Sequence, residues 1–271
     1  VRGKVYLIGA GPGDPDLLTV KAARLLRSAD VVLHDALVPE EILALAYPNA
    51  LVVDVGKRAG SKRLMQQDIN RMMVHFASAV ETVVRLKGGD PLIFGRAAEE
   101  MEALRMAGIE FEIVPGITAA VASAAQGKIS LTDRDKSEAV IFLTAQRKQG
   151  KKAPDLAQYA GKRVTLAIYM PNGRYQEIAD EAIAAGLSRW TPCLIVLNAT
   201  RPNQETYWSN LDGLRSASQI ESPSLLIIGE VARPAAHAPF DLMAEPHVAT
   251  DFPAVRLNLG REEHRHAETT V

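Results

Sequence analysis

Two periods run through the first part of the chain. Short apolar runs, KVYLIG, VVLHD, TVVRLKGGD and FEIVPG, are separated by stretches whose apolar residues recur every three or four positions, PDLLTVKAARLLRSAD, QQDINRMMVHFASAV and AAEEMEALRMAG. Short runs suit strands and the longer period suits amphipathic helices. The alternation predicts an α/β fold with a largely parallel sheet and helices on its faces. In the first helical stretch Leu17, Leu18, Ala22, Leu25, Leu26 and Ala29 form the stripe expected to face the core.

After FEIVPGITAAVASAAQGK the apolar runs lengthen. EAVIFLTA, KRVTLAIYMP, TPCLIVLNAT and SPSLLIIGEV read as strands, with only YQEIADEAIAAG clearly helical between them, so the second half predicts a more mixed sheet. VPGITAA supplies a proline, a glycine and Thr118 as a helix cap, which suits a hinge between two packed α/β domains over residues 1–117 and 118–234. From about Pro234 the periodicity is lost. Residues 235–271 read as an extended or mobile tail rich in proline and charge.

Composition narrows the function classes. At 47% hydrophobic and 23% charged, the 271 residues have the balance of a globular protein, and no apolar run approaches the roughly 18 residues of a membrane helix. No secretory leader is visible, so the expectation is a cytoplasmic protein with no membrane partner. A net charge of −1 argues against a nucleic-acid binder. The single Cys193, in TPCLIVLN, reads as a buried strand thiol, and His247, His264 and His266 read as solvated tail residues, so no metal site is expected. GKRAGSKR and VVRLKGGDP gather Lys57, Arg58, Lys62, Arg63, Arg85 and Lys87, either as a solvated surface or as a receiver of a small polyanion.

Two glycine loops carry the candidate chemistry. VYLIGAGPGDPDLLT has Gly9 and Gly11 but Asp14 where a dinucleotide fingerprint needs its last glycine. Asp14 would repel a pyrophosphate and Pro12 removes an amide donor, which disfavours a nicotinamide-dependent oxidoreductase. The loop suits an uncharged or zwitterionic ligand, or a bare turn. In RLKGGDPLIFGRAAEE, Gly88, Gly89 and Asp90 end a strand, where open α/β sheets bind ligands, and Arg96 and Glu99 follow on one helix face, placed to act on a ligand or to pair with each other.

The ordered set VYLIGAGPGDPDLLTVKA, ADVVLHDALV, GKRAG, RLKGGDPLIFGR, AGIEFEIVPGITAA, LTDRD, YM and SPSLLIIGEV, covering about residues 3–233, closely resembles the S-adenosylmethionine-dependent tetrapyrrole methylases. The resemblance implies a two-domain fold with S-adenosylmethionine in the cleft between the domains, S-adenosylhomocysteine as product, and a homodimer. It further implies two successive methyl transfers to carbon on uroporphyrinogen III, giving precorrin-2 on the way to siroheme or cobalamin. Carried over by position, the cofactor contacts are Pro12, Gly88, Gly89, Asp90, Thr118, Ala119, Met170, Ala199 and Ser224. Substrate contacts are Asp35, Arg58, Arg134 and Gln146. Arg96 takes an orienting and steering role at the catalytic centre and Glu99 that of a base, since arginine scarcely deprotonates.

Departures from the family pattern fall on the tetrapyrrole side. Ala97 and Ala98 stand where two glycines are usual, Gln126, Gly127, Lys128, Ser130 and Asp133 replace a Tyr-Ala-Gly, a proline and a histidine, and Ala145 with Gln146 replaces a Gly-His. The alternative is therefore a related methylase acting on another precorrin, or a homologue that binds cofactor and tetrapyrrole with little activity.

Overall fold

The structure, a computed structural model, describes residues 3–56, 64–146, 156–217, 220 and 223–233. Arg58 and the expected tail over 235–271 lie outside the described residues. In chain order the elements are β1 (Lys4–Gly9), α1 (Val20–Leu26), β2 (Val31–His34), α2 (Glu40–Leu43), β3 (Leu51–Asp54), α3 (Gln66–Ala77), β4 (Thr82–Lys87), α4 (Ala97–Met106), β5 (Glu110–Val114), α5 (Ala119–Gln126), β6 (Ala139–Thr144), β7 (Val164–Tyr169), α6 (Tyr175–Ala184), β8 (Pro192–Leu197), β9 (Glu205–Asn210), α7 (Leu211–Leu214) and β10 (Ser224–Ile228).

The first sheet has order β3-β2-β4-β1-β5, and all its pairs are parallel. Both faces are covered, which is why its central strands are almost continuously apolar. Val31, Leu33 and Val83 point to the face carrying Ile69 and Met73 of α3 and Leu104 of α4. Val32, Val84 and Leu86 point to the opposite face, against Ala22 and Leu26 of α1 and Ile42 of α2. The two-residue period of β4 thus places Arg85 and Lys87 on the α3/α4 face, where both are buried. The surface reading of these two basic residues is corrected by that placement.

The second sheet, β6-β7-β10-β8-β9, is mixed: β6 and β7 are parallel, whereas β10 is antiparallel to β7 and β8, and β9 to β8. One face packs on α6 and α7 through residues such as Ile168, Ile178, Ile195 and Leu211. Ala120 and Ala124 of α5 cover the other face, where Ile93 of the first half joins the cluster. Cys193 is buried, and burial pushes its thiol well up, as an inert core thiol requires. No helix among the described residues is long and apolar enough to cross a membrane.

Three local expectations change. The helix expected from Pro15 begins instead at Val20: Pro15–Leu17 is a single 3-10 turn, and Thr19 caps α1 by accepting the amide of Ala22 at 3.1 Å. Leu17 and Leu18 are accordingly only half-buried, and the fully buried part of the stripe is Ala22, Leu26 and Ala29. The periodicity reading did not anticipate the strands β3 and β9, each at a sheet edge; Leu51 of β3 is 51% exposed.

Candidate cofactor cleft

Parallel strands deliver their loops to one edge of a sheet. Residues 10–14 after β1, 88–96 after β4 and 115–118 after β5 therefore emerge side by side. The two glycine loops are bonded together: Gly11 N donates to Gly89 O at 3.1 Å and Gly89 N donates to Gly11 O at 2.7 Å. Asp90 ties in the third loop, since its Oδ2 accepts from Gly116 N at 3.0 Å while Oδ1 accepts from Leu92 N at 2.8 Å. A Cβ on Gly116 would lie 2.3 Å from Gly89 O and 2.8 Å from Gly9 Cα, so backbone contact itself demands glycine there.

The second half meets this platform with the ends of β7 and β8 and the start of β10. Between the halves lies a cavity of about 260 Å³. All nine residues expected to contact the cofactor, Pro12, Gly88, Gly89, Asp90, Thr118, Ala119, Met170, Ala199 and Ser224, line it, and so does Asp35. Thr118 occupies the cap position of α5 without capping it. Its Oγ1 instead meets the hydroxyl of Tyr169 at 2.6 Å, and that hydroxyl accepts from Ala120 N at 3.2 Å. Burial pushes the Tyr169 phenol up, so it stays protonated, and its ring packs against Phe94 at 4.9 Å.

Strain collects around the cavity. Phe94, Met170 and Asn198 line it with φ of 52°, 53° and 48°, a region that each non-glycine residue enters at a cost of order 1 kcal/mol or more. Tyr169, Ser123, Asn198 and Arg201 are lining residues that the sequence reading passed over. Tyr169 sat beside Met170 in the quoted YM, whereas Ser123 looked like one more small residue in a helix.

A buried ionic group stands behind the cleft. Glu100 is fully buried on α4; its Oε1 accepts from Arg85 Nε at 3.0 Å, from Lys87 Nζ at 3.0 Å and from Gln66 Nε2 at 3.1 Å. Arg85 Nη2 reaches on to the carboxylate of Asp35 at the cavity wall. Burial opposes the charge on Arg85, but Asp35 and Glu100 outweigh it and raise its pKa; on Lys87 burial and the neighbouring Arg85 prevail over Glu100, and the amine is pushed down. Asp35 is thereby fixed in place by a buried cation.

Of the residues expected to act on substrate, Asp35 lines the cavity, whereas Arg96, Glu99, Arg134 and Gln146 do not. Arg96 and Glu99 are exposed and form a two-point ion pair, Nε to Oε1 at 2.8 Å and Nη2 to Oε2 at 2.7 Å, one residue beyond the lining Gly95. Arg134 is exposed, and its carbonyl accepts from Arg163 Nη1 at 3.4 Å; Gln146 is exposed at the end of β6. Ala97 and Ala98 do not line the cavity. Asp133 accepts from the amides of Asp135 and Lys136, which hold its carboxyl below the usual range, and its charge serves its own turn.

The donor set fits a phosphate-free nucleoside carrying a cation. No helix of the first glycine loop points its N-terminus at the cavity, because Asp14 caps the 3-10 turn through Asp16 N at 2.9 Å and α1 starts only at Val20. Asp90 and the Arg85-bound Asp35 contribute carboxylates, and the fully buried Ser123 Oγ has no hydrogen-bond partner among the described residues. An added Cβ at Gly88 would find only Leu37 Cβ, at 3.6 Å, so the space over that loop is the cavity itself.

A family model described as Tetrapyrrole (Corrin/Porphyrin) Methylases matches residues 4–214. The chain belongs to this family. It is 45% identical over 230 residues to siroheme synthase 2 of Aeromonas hydrophila, covering 84% of this chain and 49% of that protein. With the siroheme synthase of Psychrobacter sp. the identity is 42% over 260 residues, covering 95% and 53%. The chain thus spans about half the length of these relatives. Among solved structures it resembles uroporphyrin-III C-methyl transferase from Thermus thermophilus complexed with S-adenyl homocysteine, at 40% identity and a TM-score of 0.74 over 85% of this chain and 94% of that one. The cobalt precorrin-4 methyltransferase of cobalamin biosynthesis aligns at 32% identity and a TM-score of 0.77, over 85% and 96%.

Proposed function

We propose that this chain is an S-adenosylmethionine-dependent C-methyltransferase of uroporphyrinogen III, making two successive transfers that yield precorrin-2, with S-adenosylhomocysteine released each time. The observation that carries the reading is the convergence of all nine expected cofactor residues on one cavity. S-adenosylmethionine would supply a methyl group already activated on a sulfonium sulfur. What the chain adds is alignment and exclusion of water, for which a cleft closed by two sheets is suited. Asp35, held by Arg85, stands at the wall where a reacting ring would approach. Arg96 orients substrate carboxylates beside that opening, with Arg58 and Arg134 as further carboxylate contacts and Gln146 as a polar one, and Glu99 accepts the proton that the cationic macrocycle loses after each methyl transfer. The two α/β units divide at 117/118, and the working form is a cytoplasmic homodimer, checked by its mass in solution.

Incubating the protein with S-adenosylmethionine and uroporphyrinogen III tests this directly. Product mass should rise by two methyl groups; no gain across a range of pH would sink the reading. A second reading, a methylase for another precorrin, is favoured by Asp133 and Gln146 in place of the family's histidines, and predicts turnover only with a more methylated substrate. Arg96→Ala is expected to abolish transfer while S-adenosylhomocysteine still binds nearly as in the parent, because Arg96 stands outside the cavity lining. Loss of both would mean that Arg96 supports the cleft and not the reaction.

A further inference from the structure

Arg201 lies in the loop after β8, and its side chain crosses from the second half of the molecule to the first. Nη2 donates to the carbonyl of Leu37. The alkyl stem and Nε lie over Gly13, where a Cβ would sit 2.7 Å from Cγ and 2.9 Å from Nε. The adjacent Thr200 Oγ1 accepts from Asp14 N at 3.2 Å, so this loop is seated on the first glycine loop. Among the described residues lining the cavity Arg201 is the one cation. Its buried Nε has no hydrogen-bond partner among the described residues, and no carboxylate among them lies within ion-pair distance of the guanidinium.

A guanidinium offers five donors in a planar fork that matches a carboxylate. Among the described residues Arg201 uses one of them, to Leu37 O. Holding a partly desolvated cation without a close ion-pair partner is unfavourable, and burial pushes its pKa down, with the charge of Glu41 opposing. A carboxylate entering the cleft would offset that desolvation with charge-assisted bonds. We infer that Arg201 is the carboxylate receptor of the cleft. The inference rests on the methylase reading, in which two ligands carry the required group: the amino-acid end of the sulfonium nucleoside and the acid side chains of the tetrapyrrole.

The test is calorimetry on the full chain with S-adenosylhomocysteine and methylthioadenosine, which lacks the amino-acid end, together with fluorescence titration of uroporphyrin III. Arg201→Gln should weaken one carboxylate ligand by about 10- to 100-fold, the range of a hydrogen bond to a charged group, and leave methylthioadenosine unchanged. Weakening of S-adenosylhomocysteine assigns the receptor to the nucleoside; weakening of uroporphyrin III alone assigns it to the tetrapyrrole. Arg201→Lys, which keeps a charge without the planar fork, should weaken the same ligand less than Arg201→Gln does and guards against a misfolded Arg201→Gln. The inference is overturned if both carboxylate ligands bind as before, or if methylthioadenosine weakens equally, which would make Arg201 a clasp between the halves. Failure of the parent protein to bind either nucleoside would overturn the methylase reading, and this inference with it.

Discussion

Glu100→Ala is expected to lower the unfolding free energy by about 3–5 kcal/mol, the range for removing one partner of a buried ion pair. Glu100 is fully buried between Arg85 and Lys87, each 2% exposed, so the variant would leave two like charges adjacent in the core. Denaturant titration checks this through a lower midpoint at unchanged slope. Glu100→Gln keeps an acceptor without the charge and should lie between the two proteins. The deficit should also depend on pH. Lys87 is pushed down in the fold, chiefly by burial and then by Arg85, so between its folded value and the unfolded one near ~10.4 the unfolded chain binds more protons and stability rises with pH. Without Glu100 the amine is pushed lower still, that window opens earlier, and the gap between variant and parent should narrow as pH rises toward 10. A shift below about 1 kcal/mol, in the range of an exposed pair, would mean that the group is hydrated and does not fix Asp35.

Gly116→Ala should be as damaging, through sterics. Its Cβ would meet backbone on both sides, Gly89 O at 2.3 Å and Gly9 Cα at 2.8 Å, and no side chain can rotate away to make room. Overpacking of a tight core costs about 1–3 kcal/mol and more where backbone must move, so a loss of about 3 kcal/mol or greater is expected, together with loss of nucleoside binding as the bonded platform of Gly11, Gly89 and Asp90 comes apart. Gly88→Ala is the contrast. Its Cβ meets only Leu37 Cβ, at 3.6 Å, and points into the cavity space. That variant should unfold like the parent and still lose affinity for S-adenosylhomocysteine. If Gly88→Ala binds normally, the ligand does not lie over this loop.

Locality separates what could be read early from what could not. The Gly88-Gly89-Asp90 run could be read as a loop at a strand end from its own residues, whereas Pro12 and Met170 came as candidates from the family resemblance. The joining of the two glycine loops by Gly11 and Gly89 was not legible, since 78 residues separate partners that only the β1-β4 pairing brings together. Arg85 and Lys87 looked like surface charge for the same reason. A cation in a strand reads as solvated unless the helix covering that face is known to carry its counter-ion, and Glu100 belongs to a different element.

By itself the sequence determined the two sheet types, the glycine loops at strand ends and the poor match to a phosphate ligand, because these follow from residue period and local sterics. Which residues face one another across the cleft was decided by the tertiary structure alone. Ser123, Tyr169 and Arg201 acquire meaning from partners on other elements, and a side chain's desolvation is a property of what covers it, which no stretch of neighbouring residues encodes.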